Sequence, residues 1–241
     1  MVATGSGPSD DLWWEFDELC EFPWPNAPFV ELKRYIRSVH EFLPHVTAQR
    51  EVRLQARIKT ETDPVAIGEF ESELEQVRNS ESVVLSRLVW GGVLVSIYSA
   101  YEFGVESVLH YWQRSADHPV TFRLEPKRDF LQCAEEYTQR HVGIALFSKG
   151  VERARLNELK TLRNSFVHRG SQLSTLPRKL QAAVAKKEHP GVALAEHDGQ
   201  WVANARSAAF YLLTTERAIK SFGDGAVEKC LANKRSRRKA T

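Results

Sequence analysis

Between residues 81 and 113, apolar side chains at Leu85, Leu88, Val89, Val93, Ile97, Tyr101, Val105, Val108 and Trp112 recur at steps of three and four, the period of one helix face. Apolar neighbours widen the stripe over much of the circumference, so this helix has to lie centrally, with other helices around it. Its continuous apolar stretch, Leu88 to Tyr101, is shorter than the ~20 residues of a bilayer-spanning helix and is closed by Arg87 and Glu102. The expectation is a buried core helix and no membrane. Gly91-Gly92 would let a second helix approach closely, at a cost in helix propensity.

The rest of the chain is read around that helix as mainly α. Residues 1–28 mix Gly, Ser and Pro with Trp13, Trp14 and Trp24, an irregular arm expected to pack through its aromatics. A helix follows from Phe29 to Phe42, and Pro44 is expected to interrupt it before a charged helix to about Thr62. Asp63-Pro64 then starts an acidic helix with Phe70, Leu74 and Val77. The two segments can form a hairpin in which Arg50, Arg53, Arg57 and Lys59 are partly neutralised by the acidic stretch Glu61 to Glu81. Further helices are expected from Lys127 to about Val142 and from Val151 to near Gly170, with a short one after Pro177. Asp198-Gly199 between two short apolar runs signals a small β-hairpin near 191–203. A last helix from Ala205 should stop at Gly223-Asp224-Gly225. The division is an N-terminal arm and helical extension over 1–80, a helical core over 81–222, and a flexible basic tail over 223–241.

A net charge of only +2 means that attraction to a polyanion must come from local clusters. One cluster is the tail, where Lys234, Arg235, Arg237 and Arg238 either end the chain as a solvated segment or hold phosphates. Cys20, Cys133 and Cys230 are odd in number and far apart, which argues against a disulfide framework or zinc cluster and fits a reducing compartment. The N-terminus lacks a secretory pattern, so a cytoplasmic protein is expected. The histidines have no His-x-x-x-His spacing and no glycine-rich phosphate loop is present, so no metal and no cofactor is expected.

The chemistry concentrates at Arg163-Asn164-Ser165-Phe166-Val167-His168. Spacing alone is weak, since Arg34 and His40 match it too; Asn164 and the helix end at His168-Arg169-Gly170 set the second site apart. Attack of a ribose 2′-hydroxyl on its adjacent phosphate needs a proton acceptor and a proton donor, both suited to imidazole near neutrality. Charge building on the phosphorane suits a guanidinium with its forked donors. Arg163 and His168 supply these without metal, and DNA, lacking the 2′-hydroxyl, would be inert.

Leu162 to Gly170 resembles the helix-end motif of the HEPN superfamily, whose ribonucleases carry Arg-(x)4-6-His, often with Asn after the Arg. Tyr98-Ser99-Ala100-Tyr101-Glu102-Phe103-Gly104-Val105-Glu106 resembles the core helix of several bacterial members, and the likeness covers roughly residues 81–222. It implies a HEPN-like helical bundle and an endoribonuclease leaving 2′,3′-cyclic phosphate. It also implies a toxin–antitoxin or antiphage role, with an antitoxin or defence-system protein as partner.

At ~100° per residue Arg163 and His168 lie roughly 140° apart on an ideal helix, so one straight helix does not aim both at one phosphate. Either the helix unwinds near Gly170 or two copies contribute; the resemblance implies the latter, a composite cleft in a homodimer. Glu102 and Glu106, four apart, are candidates to orient Arg163 or His168, with Tyr101 nearby and Arg169 as an RNA contact; a solvent-facing polar stripe explains the two glutamates equally well. The alternatives to a nuclease are a non-catalytic helical interaction module and an RNA-binding adaptor using the charged hairpin and tail.

Overall fold

A computed structural model describes residues 27–78, 82–116, 119–125, 128–147, 149–189, 191–194 and 199–240. Seven helices make up most of them: α1 (Ala27–Thr60), α2 (Pro64–Gln76), α3 (Ser82–Ala116), α4 (Phe130–Tyr137), α5 (Gly150–Arg169), α6 (Arg178–Ala185) and α7 (Ala205–Ala240). The hairpin is a two-residue antiparallel ladder in which Ala193 and Leu194 of β1 (Ala193–Leu194) face Val202 and Trp201 of β2 (Trp201–Val202). Trp13, Trp14 and Trp24 of the N-terminal arm lie outside the described residues.

The apolar stripe of α3 does what its width requires: α7, α1, α5 and β2 all pack on it. Val93, Leu94, Ile97, Val105, Val108 and Leu109 are shut off from solvent. Two glycines set the closest approaches. A Cβ at Gly91 would overlap the Phe166 ring of α5, and one at Gly104 would overlap Ile219 of α7. Over Val83–Ser115 this helix is long and apolar enough, by length and composition alone, to cross a membrane, so the shorter run Leu88 to Tyr101 understates its apolar reach. Its most apolar positions form the centre of the bundle.

Two expected breaks are absent. Helix α1 passes through Pro44, which is exposed and lies on the solvent side, while Ile36 before it and Leu54 after it are both buried. Proline removes one backbone donor, but packing on either side holds the two halves as one helix. Likewise α7 does not stop at Gly223-Asp224-Gly225, because Phe222, Ala226 and Cys230 continue the buried stripe at four-residue steps. That burial outweighs the weak helix propensity of two glycines, roughly 1 kcal/mol each. The segment 223–240 is therefore helical.

Other boundaries follow their local chemistry. Asp63 caps α2, its side chain accepting from the Val65 N–H at 3.0 Å, with Pro64 in the first turn. Asp129 caps α4 by accepting from the Gln132 N–H at 3.1 Å, and α4 runs on as a π-helical turn from Thr138 to Val142. The α1–α2 hairpin has the charge pairing its sequence implies, Arg50 with Glu73 at 2.8 Å and Arg78 with Glu51 at 3.3 Å. A more buried pair, Lys33 with Glu216 at 2.9 Å, fastens α1 to α7 with side chains only 7% and 13% exposed. Burial pushes the Glu216 carboxyl up from its ordinary range, against the opposing pull of Lys33.

Candidate active site

Helix α5 buries Leu156, Leu159 and Leu162 toward the core, which fixes its rotation and turns the next positions, Arg163 and Asn164, to the edge of the α3–α5 seam. Its end is built with care for backbone polarity. Gly170 (φ 59°) and Ser171 (φ 64°) are both left-handed, and both return their N–H groups to the Ser165 carbonyl. Glycine takes that conformation at no steric cost. Ser171 is held in it because its carbonyl accepts the Trp201 N–H at 2.9 Å and the residue is buried.

Ser165, in the middle of the signature, is structural. Its hydroxyl accepts from the Trp201 indole N–H at 3.1 Å and lies 2.8 Å from the Thr175 hydroxyl. Because Thr175 spends its own proton on the Gln172 carbonyl, at 2.7 Å, Ser165 is the donor to Thr175. With the Gln172–Gln200 bridge and the Leu173 N–H to Gly199 carbonyl bond at 3.0 Å, this ties the C-terminal end of α5 to the hairpin.

Arg163 is half-buried, and its Nη1 donates to Asn164 Oδ1 at 2.9 Å. Its Nε is buried with no hydrogen-bond partner among the described residues. On α3 the groups that feel its charge are Glu102 and Tyr98. Burial raises the Glu102 carboxyl above its usual range; Arg163 opposes the rise, and Glu106 and Asp129 add to it. The Tyr98 hydroxyl is pushed up by burial, then by Glu102 and Asp129, again against Arg163. Asp129 forms an ion pair with Lys160 of α5. The result is a polar cluster of Tyr98, Glu102, Asp129, Lys160, Arg163 and Asn164 where α3, α4 and α5 meet.

Glu102 therefore belongs to the surroundings of Arg163, and half-buried Glu106 acts on it as a like charge. Tyr101 is in the core, its hydroxyl buried without a hydrogen-bond partner among the described residues, and burial raises its pKa. It meets the cluster through the Tyr98 ring, 6.3 Å away between centroids. His168 and Arg169 are exposed on the last turn of α5. An ideal helix puts His168 about 7.5 Å along the axis and roughly 140° around from Arg163, and no hydrogen bond joins them in one chain. Arg235 is exposed on α7, and Lys234, Arg237 and Arg238 belong to the same helix. The competing Arg34 is exposed on α1 and paired with Glu31 at 3.0 Å.

Tyr98, quoted only as part of the core-helix segment, and Asp129 and Lys160 were not among the site residues the sequence suggested. Tyr98 stands four residues before Glu102, a spacing that puts them on one helix face. Asp129 and Lys160 carried no such signal, since their pairing depends on how α4 docks.

A second polar group is closed. His189 Nδ1 accepts from the Val192 N–H at 3.3 Å, which leaves Nε2–H to donate to Glu158 Oε1 at 2.9 Å. The Tyr211 hydroxyl donates to the same oxygen. Burial would raise the Glu158 carboxyl, but the hydrogen bonds from His189 and Tyr211 outweigh it and hold the group below its ordinary range. Every polar atom of the imidazole is satisfied, so the trio joins α5, α7 and the residues before β1 as a fastener.

Among the described residues, no three His, Cys, Asp or Glu side chains are grouped so as to hold a metal ion. Comparison with protein-family models, curated proteins and solved structures finds no match for this chain.

Proposed function

We propose that this chain is a metal-independent endoribonuclease with a HEPN-like helical core, working in the cytoplasm as a homodimer with a composite cleavage centre. The observation that carries the reading is the state of Arg163: its guanidinium is held by Asn164 at 2.9 Å in a polar cluster and its Nε has no partner among the described residues, while exposed His168 lies in the last turn of the same helix. Preorganised donors aimed at developing charge are the largest single source of rate in such chemistry. In the proposed reaction the 2′-oxygen bonds to phosphorus and its proton passes to an imidazole. The P–O5′ bond breaks, and the leaving oxygen takes a proton from a second imidazole. Arg163 neutralises the phosphorane oxygens, with Glu102 and Tyr98 orienting it from α3.

The angular separation of Arg163 and His168 favours completion by a second copy. Exposed apolar side chains on the same two helices support that arrangement: Leu88 and Phe103 on α3, 54% and 51% exposed, and Val167 next to His168 on α5. A growth-arrest or antiphage role, with an antitoxin or defence-system protein restraining the activity, follows from the resemblance of the motif.

The test is incubation of the purified protein with total RNA in excess chelator, beside His168→Ala and Arg163→Ala variants. The expected result is cleavage to 2′,3′-cyclic phosphate ends by the wild type and none by either variant. Cleavage that requires metal, or that survives both substitutions, overturns the mechanism. A chain that cleaves as a strict monomer overturns the composite centre.

A further inference from the structure

The C-terminal half of α1 carries a feature that the cleavage centre does not use. At ~100° per residue, Phe42, Val46, Arg50, Arg53 and Arg57 fall within about 80° of one another and so form one stripe, about 22 Å long. With Leu54 and Glu73 they line a cavity of about 520 Å³ on the α1–α2 hairpin, inside the ~300–1,000 Å³ range of ligand sites. Phe42 is 66% exposed at one end, an unusual position for a large aromatic. Arg50 is paired with Glu73 across the groove, and the Arg57 guanidinium carbon lies over the Phe70 ring, 4.3 Å from its centroid. Among the described residues Glu73 is the only carboxylate lining the groove, against three arginines, and it is engaged with Arg50; Arg57 also acts on Glu61 beyond the lining, so the charge in excess there is mainly that of Arg53.

From these observations we infer that this groove binds a stretch of single-stranded RNA, holding the substrate of the proposed nuclease at a site remote from the cleavage centre. The assignment of substrate rests on the nuclease reading; the groove itself rests on its own geometry. Successive phosphates lie along Arg53 and Arg57, and a base stacks on Phe42, the combination of cationic track and aromatic platform by which single strands are bound without sequence preference. An acidic polypeptide would use the arginines equally well but leaves the exposed aromatic end unexplained. Such a groove reads backbone charge and a base face, so it binds single-stranded DNA about as well as RNA. Discrimination by the 2′-hydroxyl belongs to the cleavage step.

The test uses the full-length His168→Ala chain, so that cleavage does not interfere, with a labelled 20-nucleotide single-stranded RNA titrated at several salt concentrations. Replacing Arg53 and Arg57 by Gln, both exposed, removes two phosphate contacts. The slope of log affinity against log salt should become shallower by about 1.4, at ~0.7 per contact for a single strand. Phe42→Ala should weaken binding roughly 5- to 150-fold with the slope unchanged. Circular dichroism of the variants establishes that they fold. Unchanged affinity and slope, or retention of poly-glutamate with no binding of the oligonucleotide, overturns the groove as an RNA site. The two readings fail separately. Groove-dependent binding by a chain that cleaves no RNA leaves the groove standing and removes the nuclease. Cleavage unaffected by the groove variants, with binding also unaffected, does the reverse.

Discussion

Gly91 and Gly92 are adjacent in sequence and should respond oppositely to the same substitution. A Cβ at Gly91 would overlap the Phe166 ring, whereas one at Gly92 would meet nothing within 4 Å. Alanine in a helix interior is worth up to about 1 kcal/mol over glycine, so Gly92→Ala should stabilise the protein by about that amount. Gly91→Ala gains the same propensity but pushes on a packed ring, and overpacking of this kind costs about 1–3 kcal/mol. Gly91→Ala should therefore be less stable than Gly92→Ala by about 1–3 kcal/mol. In a chain of this size that is a gap in Tm of about 2–12 °C, at about 2–4 °C per kcal/mol. Urea unfolding followed by circular dichroism reads the difference directly. A Phe166→Leu substitution supplies the internal control: it should cost less in the Gly91→Ala background than in wild type, because it removes the group that the new methyl strikes. A Gly91→Ala protein as stable as Gly92→Ala, or additive behaviour with Phe166→Leu, would refute the claim that this contact sets the α3–α5 distance.

The clip at the end of α5 predicts that Ser165→Ala, which strands a buried indole N–H, costs about 1–3 kcal/mol in chemical denaturation. Trp201→Phe with Ser165→Ala should cost less than the sum of the two, since both remove the same bond. For Glu158 the folded pKa is lowered, so its contribution is complete above the unfolded value of ~4.3 and is lost as pH falls through the folded value. Glu158→Gln should accordingly lower Tm at neutral pH and flatten its decline below about pH 4.3. A parallel decline in both proteins would contradict the assigned role.

How much of this was legible depended on whether a feature was local. The core helix, the Asp63-Pro64 start and the Gly170 end are written in adjacent residues, and the structure has all three. Pro44 and Gly223-Asp224-Gly225 misled because breaker residues act locally while burial of Leu54, Ala226 and Cys230 is decided by tertiary packing. The same division runs through the site. Arg163 and Asn164 could be picked from the motif, and Glu102 from its place on the core helix. Ser165 lies inside the motif, but its structural role was not legible there, because its partners Thr175 and Trp201 are 10 and 36 residues away. Asp129 and Lys160 meet only because α4 docks beside α5.

The uninterrupted course of α7 has a geometric consequence for the basic end of the chain. A coil after residue 222 would spread its cations over a diffuse volume. A helix instead fixes their phase and reach. With Phe222, Ala226 and Cys230 against the core, Arg235 sits on the opposite side of the rod, about 20 Å beyond Phe222 at ~1.5 Å per residue. The register of Arg235 is thus set by core packing about one and a half to three and a half turns away, so that a single inserted residue near Gly225 would swing this cation by about 100° without altering it.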